Sequence, residues 1–151
     1  MRRNKQKYPE VTVGALIKNK KGEILLIRSP KWGNRFTLCG GHIEMGETAE
    51  RALKREIREE VGLEIKNPRL LKVYDAIYPK EFWKKKHFIF LDYLCEAKTG
   101  KPKLDGREAT KFIWADPLKA LKLFIDQYTQ QAILEYLKLL MHKKGNQRIF
   151  K

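Results

Sequence analysis

The sequence predicts an α/β sandwich built around a mixed β-sheet. The first observation is the order of elements, because β-rich runs, a helical segment, further β-rich runs and helical segments succeed one another along the chain. The second is that 151 residues with 42% hydrophobic content suffice for one ordinary core. The third is that no repeat or low-complexity linker divides the chain. We therefore predict one domain over residues 1–151, with its core at roughly 11–140 and a basic tail at 141–151.

The chain begins with two β-rich runs. These are VTVGALIKN (Val11 to Asn19) and EILLIRS (Glu23 to Ser29), and the turn-like Lys20-Lys21-Gly22 lies between them. We predict a hairpin at this point. The following SPKWGN is predicted to be a loop, and RFTLCGG leads from it into an acidic segment.

The second half of the chain contains more strands and then helices. Asp116 followed by Pro117 is typical of a helix start, so a helix is predicted over PLKALKLFI, and another over Thr129 to Lys144, where apolar residues recur at helical spacing. Strands are predicted at Arg69 to Tyr78, His87 to Ala97 and Thr110 to Ala115.

The acidic segment is predicted to be a helix over Ala49 to Val61. Thr48 is a good N-cap, the stretch lacks Gly and Pro, and Gly62 stands where a helix commonly ends in a left-handed residue. An apolar stripe faces the core on one side of this helix. It consists of Leu53, Ile57 and Val61.

Three glutamates converge beside that stripe. Glu56, Glu59 and Glu60 are three and four residues apart, which places them on one helical face. Converging carboxylates repel each other unless cations neutralise them, and oxygen ligands of this kind suit Mg²⁺ or Mn²⁺. The alternative is a solvated acidic face paired with the abundant Lys and Arg.

The spacing within the segment favours a metal site over a solvated acidic face. It follows the pattern G-x5-E-x7-R-E-U-x-E-E-x-G-U, where U is a bulky aliphatic residue. The fixed positions are occupied by Gly41, Glu47, Arg55, Glu56, Ile57, Glu59, Glu60, Gly62 and Leu63. The segment therefore resembles the Nudix box. The resemblance implies the Nudix fold, an α/β/α sandwich around a mixed sheet.

The resemblance also implies an activity and a metal site. Nudix enzymes use Mg²⁺ or Mn²⁺ to hydrolyse a diphosphate linkage in nucleoside diphosphate derivatives, with water attacking phosphorus. Carried onto this chain, the metal ligands would be Glu56, Glu59 and Glu60, with the backbone carbonyl of Gly41 as a further contact.

The family pattern assigns supporting roles as well. Arg55 would orient a glutamate through a charge-assisted hydrogen bond, and Glu47 would brace the loop before the helix. The general base stays open between Glu59, Glu60 and Glu108, the last from a loop after the box.

The two cysteines carry no site in this interpretation. Cys39 stands where many relatives have a proline before the paired glycines, and Cys95 is far away in sequence. Both are predicted to be buried thiols, since no CxxC or Cys/His pattern accompanies them.

The substrate is less constrained by the sequence than the metal site. Aromatic residues could stack on a base, and Arg35 or Arg28 could hold phosphates, so Arg28, Arg35, Phe36 and Tyr78 are candidate substrate-binding residues. Further aromatic candidates are Trp32, Tyr74, Phe82 and Trp83. Nucleoside triphosphates and ADP-ribose-type compounds both fit.

Two other functional classes remain open at this level. One is a Nudix-fold module that binds nucleotide or RNA without hydrolysis, although no box glutamate is missing. The other is a capped-RNA hydrolase. The net charge of +15 is compatible with phosphorylated small molecules and with nucleic acid, the latter being possible but not favoured.

No apolar window reaches the length of a membrane span, so a cytoplasmic protein without membrane partners is expected. The apolar face of the C-terminal helix makes a homodimer possible.

Overall fold

The fold is a seven-stranded mixed sheet with helices on both faces, as seen in a computed structural model that describes residues 6–149. The strands are β1 (Glu10–Lys18), β2 (Ile24–Ser29), β3 (Arg35–Thr37), β4 (Cys39–His42), β5 (Glu64–Ile77), β6 (His87–Thr99) and β7 (Lys111–Ala115). The helices are α1 (Ala49–Val61), α2 (Pro117–Ala120) and α3 (Gln127–Ile149), and one 3-10 turn spans Pro30–Trp32. None of the described helices is long and apolar enough to cross a membrane.

The sheet runs in the order β3-β2-β1-β6-β5, with β4 pairing β1 and β7 pairing β2. β1 and β6 are parallel along their length, whereas the other pairings are antiparallel. The sheet is therefore mixed, as predicted.

Alternation along β1 and β2 divides the core into two layers, because successive side chains point to opposite faces of a sheet. One face packs on α1 through Val13, Ala15, Ile17, Leu25, Ile27, Leu53, Ile57 and Val61. The other packs on α2 and α3 through Leu16, Ile24, Leu26, Phe36, Leu94, Ala120, Ile133 and Tyr136. This confirms the predicted sandwich.

The predicted hairpin exists only at its base. β1 and β2 pair at Lys18 and Ile24 and then separate. The turn is closed by the Asn19 side chain, which accepts hydrogen bonds from the backbone N–H groups of Lys21 and Glu23, both at 3.0 Å. Beyond the turn, β1 instead pairs with β4 and β6, which come from distant parts of the chain.

β4 was not predicted, and its close approach to β1 explains the glycine at position 40. A Cβ on Gly40 would collide with the carbonyl oxygen of Val13, so only glycine fits here. This contact is set by tertiary pairing, and the sequence of β4 has no alternating pattern that could have indicated it.

The C-terminal helices differ from the prediction in their bounds. The helix over PLKALKLFI is wrong beyond its first turn, because α2 ends at Ala120. The chain then leaves helical geometry to meet β3, where the N–H of Phe36 donates to the carbonyl oxygen of Phe124 at 2.8 Å. α3 begins at Gln127 and continues through most of the predicted basic tail.

The β5 strand begins at Glu64, five residues before its predicted start. The ladder with β6 shifts register between Lys66 and Arg69, where Asn67 has a φ of +54°. This bulge accommodates Pro68, which cannot donate to a regular ladder.

Candidate active site

The α1 helix presents its glutamates because its ends and its buried face are well defined. Thr48 Oγ1 accepts a hydrogen bond from the N–H of Arg51 at 3.2 Å, and Gly62 ends the helix with a φ of +64°. Leu53 and Ile57 are fully buried against the sheet. The neighbouring face, with Glu56 and Glu60, is thereby directed toward β4 and the loop after β6.

Three carboxylates meet at this point. Oxygens of Glu56, Glu60 and Glu108 all lie within 4.8 Å of one another. Glu108 arrives from the β6–β7 loop, which is attached to the end of α1 because the N–H of Asp105 donates to the Glu60 carbonyl at 3.2 Å. The Asp105 side chain then accepts hydrogen bonds from the N–H groups of Arg107, Glu108 and Ala109.

Burial makes the cluster electrostatically unfavourable without a cation. Glu60 is 5% exposed and accepts one hydrogen bond, from the N–H of Gly40 at 3.3 Å. Its pKa is raised to about 9 by desolvation and then by the charges of Glu108, Glu56 and Asp105. The pKa of Glu56 is also raised, chiefly by desolvation. Such groups ionise readily only when a positive charge replaces the lost water.

The residues present fit a hard divalent cation. All three side chains offer oxygen donors, which Mg²⁺ and Mn²⁺ prefer. Gly41 leaves the space that the Glu56 carboxylate occupies, because a Cβ at this position would collide with that carboxylate. Glu56, Glu60 and Glu108 are therefore the residues that would hold the ion.

Gly41→Ala provides a test of this arrangement. The added methyl group would push the Glu56 carboxylate out of the cluster, so we expect the affinity for Mn²⁺ to fall by about 10–100-fold, as for other changes that misorient a ligand. Calorimetric titration with Mn²⁺ measures this directly. Gly145→Ala is the matched control, because nothing lies within 4 Å of a Cβ added there. Wild-type affinity in Gly41→Ala would contradict the assignment of Glu56.

Arg55 holds the acidic residues around the cluster in place. Its Nε and Nη2 donate to the two oxygens of Glu47 at 2.7 and 2.9 Å. Its Nη1 donates to Glu56 at 3.0 Å and to Glu59 at 3.2 Å, and Nη2 also reaches the carbonyl oxygen of His42 at 2.9 Å. The hydrogen bonds from Arg55 lower the pKa of Glu47 to about 2.

Glu47 and Glu59 differ in position. Glu47 accepts from the N–H of Glu44 at 2.9 Å and from Arg55, so it braces the loop before α1, as predicted. The Glu59 side chain is 61% exposed and bound to Arg55. It lies outside the group formed by Glu56, Glu60 and Glu108.

A cleft opens beside the carboxylate cluster. Glu60, Glu108, Gly40 and Gly41 form one part of its wall. Aromatic rings form another, among them Trp32 and Phe82, whose centroids are 4.8 Å apart. The remaining aromatic lining consists of Phe88, Phe90 and Tyr128. The cleft thus offers aromatic surface to a planar apolar group and carboxylates to the site of a cation and its charged ligand.

The four candidate substrate-binding residues do not line this cleft. Phe36 is buried in the core layer under α3, and Arg28 stacks on its ring with Cζ 5.6 Å from the centroid. Arg35 stacks on Phe124 and lies 3.9 Å from Glu81. Tyr78 is exposed beyond the end of β5. Arg28 and Phe36 belong to β2 and β3, where strand alternation turns their side chains away from the cleft.

Sequence reasoning missed three of the charged side chains that line the cleft. Lys31 reaches Glu108 with Nζ 3.3 Å from Oε1, Asp126 caps α3, and Asp92 lies within β6. Asp92 could have been recognised from the sequence, because it is a lone acidic residue within the otherwise apolar run FIFLDYL. The positions of Lys31 and Asp126 depend on long-range contacts.

Both cysteines are buried free thiols, as predicted. Burial and the nearby charge of Glu60 raise the pKa of Cys39 well above the usual value. A buried protonated thiol is a poor nucleophile.

Comparison with known proteins decides the family. The family model for the NUDIX domain matches residues 8–136. The chain belongs to the Nudix family. It is 32% identical over 114 residues to the 8-oxo-dGTP diphosphatase of Haemophilus influenzae, a match that covers 74% of this chain and 78% of that protein.

A second Nudix relative is longer. The chain is 29% identical over 136 residues to the NAD-capped RNA hydrolase NudC of Stutzerimonas stutzeri, which covers 87% of this chain and 45% of that protein. The chain thus spans less than half the length of the NudC relatives that it matches.

Solved structures agree on the fold. A MutT Nudix hydrolase from Burkholderia pseudomallei superposes with a TM-score of 0.72 at 29% identity, covering 85% of this chain and 98% of that one. The Nudix fold predicted from the box is therefore confirmed, and so is the prediction of the Nudix hydrolase family.

Proposed function

We propose that this Nudix chain hydrolyses a diphosphate linkage in a nucleoside diphosphate derivative, with Mg²⁺ or Mn²⁺ held by the carboxylate cluster. The observation that carries the proposal is the meeting of Glu56, Glu60 and Glu108, two of which also line a cleft with aromatic walls. A bound divalent cation would neutralise the diphosphate oxygens and lower the barrier to attack on phosphorus.

The chain's own residues supply position and a proton acceptor. Water oxygen forms the new bond to one phosphorus, the P–O bond from that phosphorus to the bridging oxygen breaks, and the departing phosphate keeps the bridging oxygen and the bonding electrons. The proton of the water passes to a carboxylate of the active site, for which Glu59, Glu60 and Glu108 are the candidates. Glu60 and Glu108 already lie together, whereas Glu59 would first have to release Arg55.

The remaining substrate contacts follow from the cleft. Trp32 and Phe82 offer ring faces and edges to a planar base. Lys31 lines the cleft next to Trp32 in the chain and binds Glu108, so its ammonium group is available to contact a phosphate. This charge distribution supports a substrate with a heterocycle at one end and phosphates at the other.

A substrate panel tests the proposal. The panel contains nucleoside triphosphates including 8-oxo-dGTP, ADP-ribose, sugar nucleotides, dinucleoside polyphosphates, NAD and NAD-capped RNA, each with Mg²⁺ or Mn²⁺. We expect release of nucleoside monophosphate or phosphate that stops when a chelator is added. The absence of metal-dependent turnover on every member, together with salt-sensitive binding of RNA, would favour the non-catalytic binding module instead.

A further inference from the structure

Asp92 is a buried carboxyl group in the wall of the cleft. Asp92 is 5% exposed and lies in the middle of β6. Within the described part of the chain its side chain has no hydrogen bond and no ion pair. The carboxyl group lines the cleft, and its oxygens, unlike the enclosed hydroxyl of Tyr74, keep some access to solvent. A ligand that hydrogen-bonds the carboxyl would therefore restore interactions that burial has reduced.

The neighbouring acid is in a different situation. Asp126 Oδ1 accepts from the N–H groups of Tyr128 and Thr129 at 2.9 and 3.0 Å, and its Oδ2 accepts from the Thr129 hydroxyl. Asp126 therefore has a structural role as the N-cap of α3. Asp92 has none among the residues described, although both line the cleft.

The fold keeps space for the Asp92 carboxyl. A Cβ on Gly14 of β1 would come within 2.5 Å of Asp92 Oδ1, so glycine at this position allows the group to remain. Tyr74 of β5 is close enough for the charge of Asp92 to raise its pKa, and its buried hydroxyl also lacks a partner in the described structure. Two unpaired polar groups thus lie in one region beside an aromatic wall.

We propose that Asp92 is a specificity-determining residue whose carboxyl oxygen accepts a hydrogen bond from the exocyclic amino group of a purine base in the cleft. This inference rests on the proposed function, since it assigns the base end of that substrate. The Phe90 ring is 5.2 Å from that of Tyr128, and both line the same cleft as Asp92, which gives the base an apolar surface next to the carboxyl.

An amino group suits Asp92 better than a carbonyl. Asp92 can bind an amino group in either protonation state, because a carboxyl offers an acceptor oxygen in both, whereas a carbonyl oxygen can be bound only by the protonated form and is repelled by the ionised one. A site built around a buried acceptor discriminates against a ligand that leaves the acceptor unpaired. The amino group of the substrate therefore supplies the partner that the protein lacks.

Two pairs of purine nucleotides isolate this contact. GTP and ITP differ only in the 2-amino group, and ATP and purine riboside triphosphate differ only in the 6-amino group. We expect the wild type to favour the amino-bearing member of at least one pair by about tenfold or more in kcat/KM, chiefly through KM.

Variants test whether Asp92 causes the preference. Asp92→Leu removes the acceptor and should bring the ratio close to one, whereas Asp92→Asn keeps one oxygen and should give an intermediate ratio. Asp75→Asn, an exposed residue of β5, makes the same charge change outside the cleft and should leave the ratio unchanged. Melting of Asp92→Leu checks its fold, and if it does not fold, the comparison rests on Asp92→Asn.

Binding measured without turnover separates the two hypotheses. Calorimetric titrations with GMP, IMP, AMP and purine riboside monophosphate should show the same amino preference in the wild type and its loss in Asp92→Leu. That result without hydrolysis would support the role of Asp92 while the proposed function failed. Turnover with no amino preference, or with a preference that survives in Asp92→Leu, would overturn the role of Asp92 and leave the hydrolase standing. No turnover and no selective binding would overturn both.

Discussion

Glu60→Gln is expected to lower kcat/KM by about 10³-fold, because several kcal/mol of transition-state stabilisation depend on the cation that this carboxylate helps to hold. Glutamine keeps the shape of the side chain and an oxygen that can accept from the N–H of Gly40. It lacks the negative charge that would neutralise the ion. Steady-state kinetics on the preferred substrate, with a parallel titration of Mn²⁺ binding, measure the effect.

The same substitution should stabilise the protein when metal is absent. The pKa of Glu60 is about 9 in the fold, against an ordinary glutamate value of 4.5. Between these pH values the folded protein keeps a proton that the unfolded chain has released, so metal-free stability contributed by this group is lost as pH rises through the window. Glutamine does not titrate. In chelator, the Tm of Glu60→Gln should exceed that of wild type by a few degrees at pH 8 and approach it near pH 4.5.

Glu64→Gln is the matched control for both measurements. Glu64 lies just beyond α1 with its side chain 62% exposed, and its ion pair with Lys98, at 3.9 Å, is on the surface. We expect near-wild-type kinetics and the wild-type dependence of Tm on pH. Retained activity in Glu60→Gln would refute the assignment of this residue as a metal ligand, and a Tm difference independent of pH would refute its electrostatic account.

Arg55→Lys is expected to lower kcat/KM by about 10–100-fold, the usual effect of removing a group that orients metal ligands. Lysine keeps the positive charge but cannot reproduce the fork that binds Glu47 through two nitrogens while holding Glu56 and Glu59. Without these hydrogen bonds, the loop before α1 and the side chain of Glu56 would both lose their fixed positions. Kinetics at saturating Mn²⁺ distinguish a loss of metal affinity from a loss of orientation.

The acid dependence of stability provides a second readout for Arg55. Hydrogen bonds from Arg55, and next from the N–H of Glu44, lower the pKa of Glu47 to about 2 from an ordinary 4.5, so these interactions stabilise the fold above pH 4.5 and their contribution is lost as pH falls toward 2. Urea midpoints of Arg55→Lys should lie below those of wild type at pH 7, and the gap should narrow as the pH falls from 4.5 to 3. Arg58→Lys, an exposed arginine of the same helix, should behave like wild type at each pH. A constant gap would show that Glu47 is not the residue through which Arg55 stabilises the fold.

Elements with complete local signals were predicted well. α1 has a cap at Thr48, an apolar stripe and Gly62, and its observed bounds are those predicted. The strand β7 and the main part of β6 were also found from their apolar runs. In contrast, β3 and β4 are short segments that become strands only by pairing with other strands. The helix α2 is shorter than predicted, and the chain after it runs beside β3, where the N–H of Phe36 donates to the carbonyl oxygen of Phe124.

The residues of the candidate site show the same difference between local patterns and long-range contacts. Glu56 and Glu60 were predictable from their spacing, and Arg55 from the box pattern that surrounds them. The four predicted substrate-binding residues lie elsewhere: strand alternation directs Arg28 and Phe36 away from the cleft, Arg35 stacks on Phe124, and Tyr78 is exposed beyond the end of β5. Asp92 and Lys31, which do line it, come from segments that share no motif.

By itself the sequence determined the sandwich of strands and helices, the acidic helix with its metal-binding pattern and, through the box, the family. Those features depend on the period of apolar residues and on contacts within a few positions of the chain. Only the tertiary structure decided which loop carboxylate joins Glu56 and Glu60, which aromatic rings form the cleft, and that Asp92 lines it with no partner among the described residues. These are consequences of pairing between β1, β4 and β6, and such long-range contacts leave no periodic signal in the residues that make them.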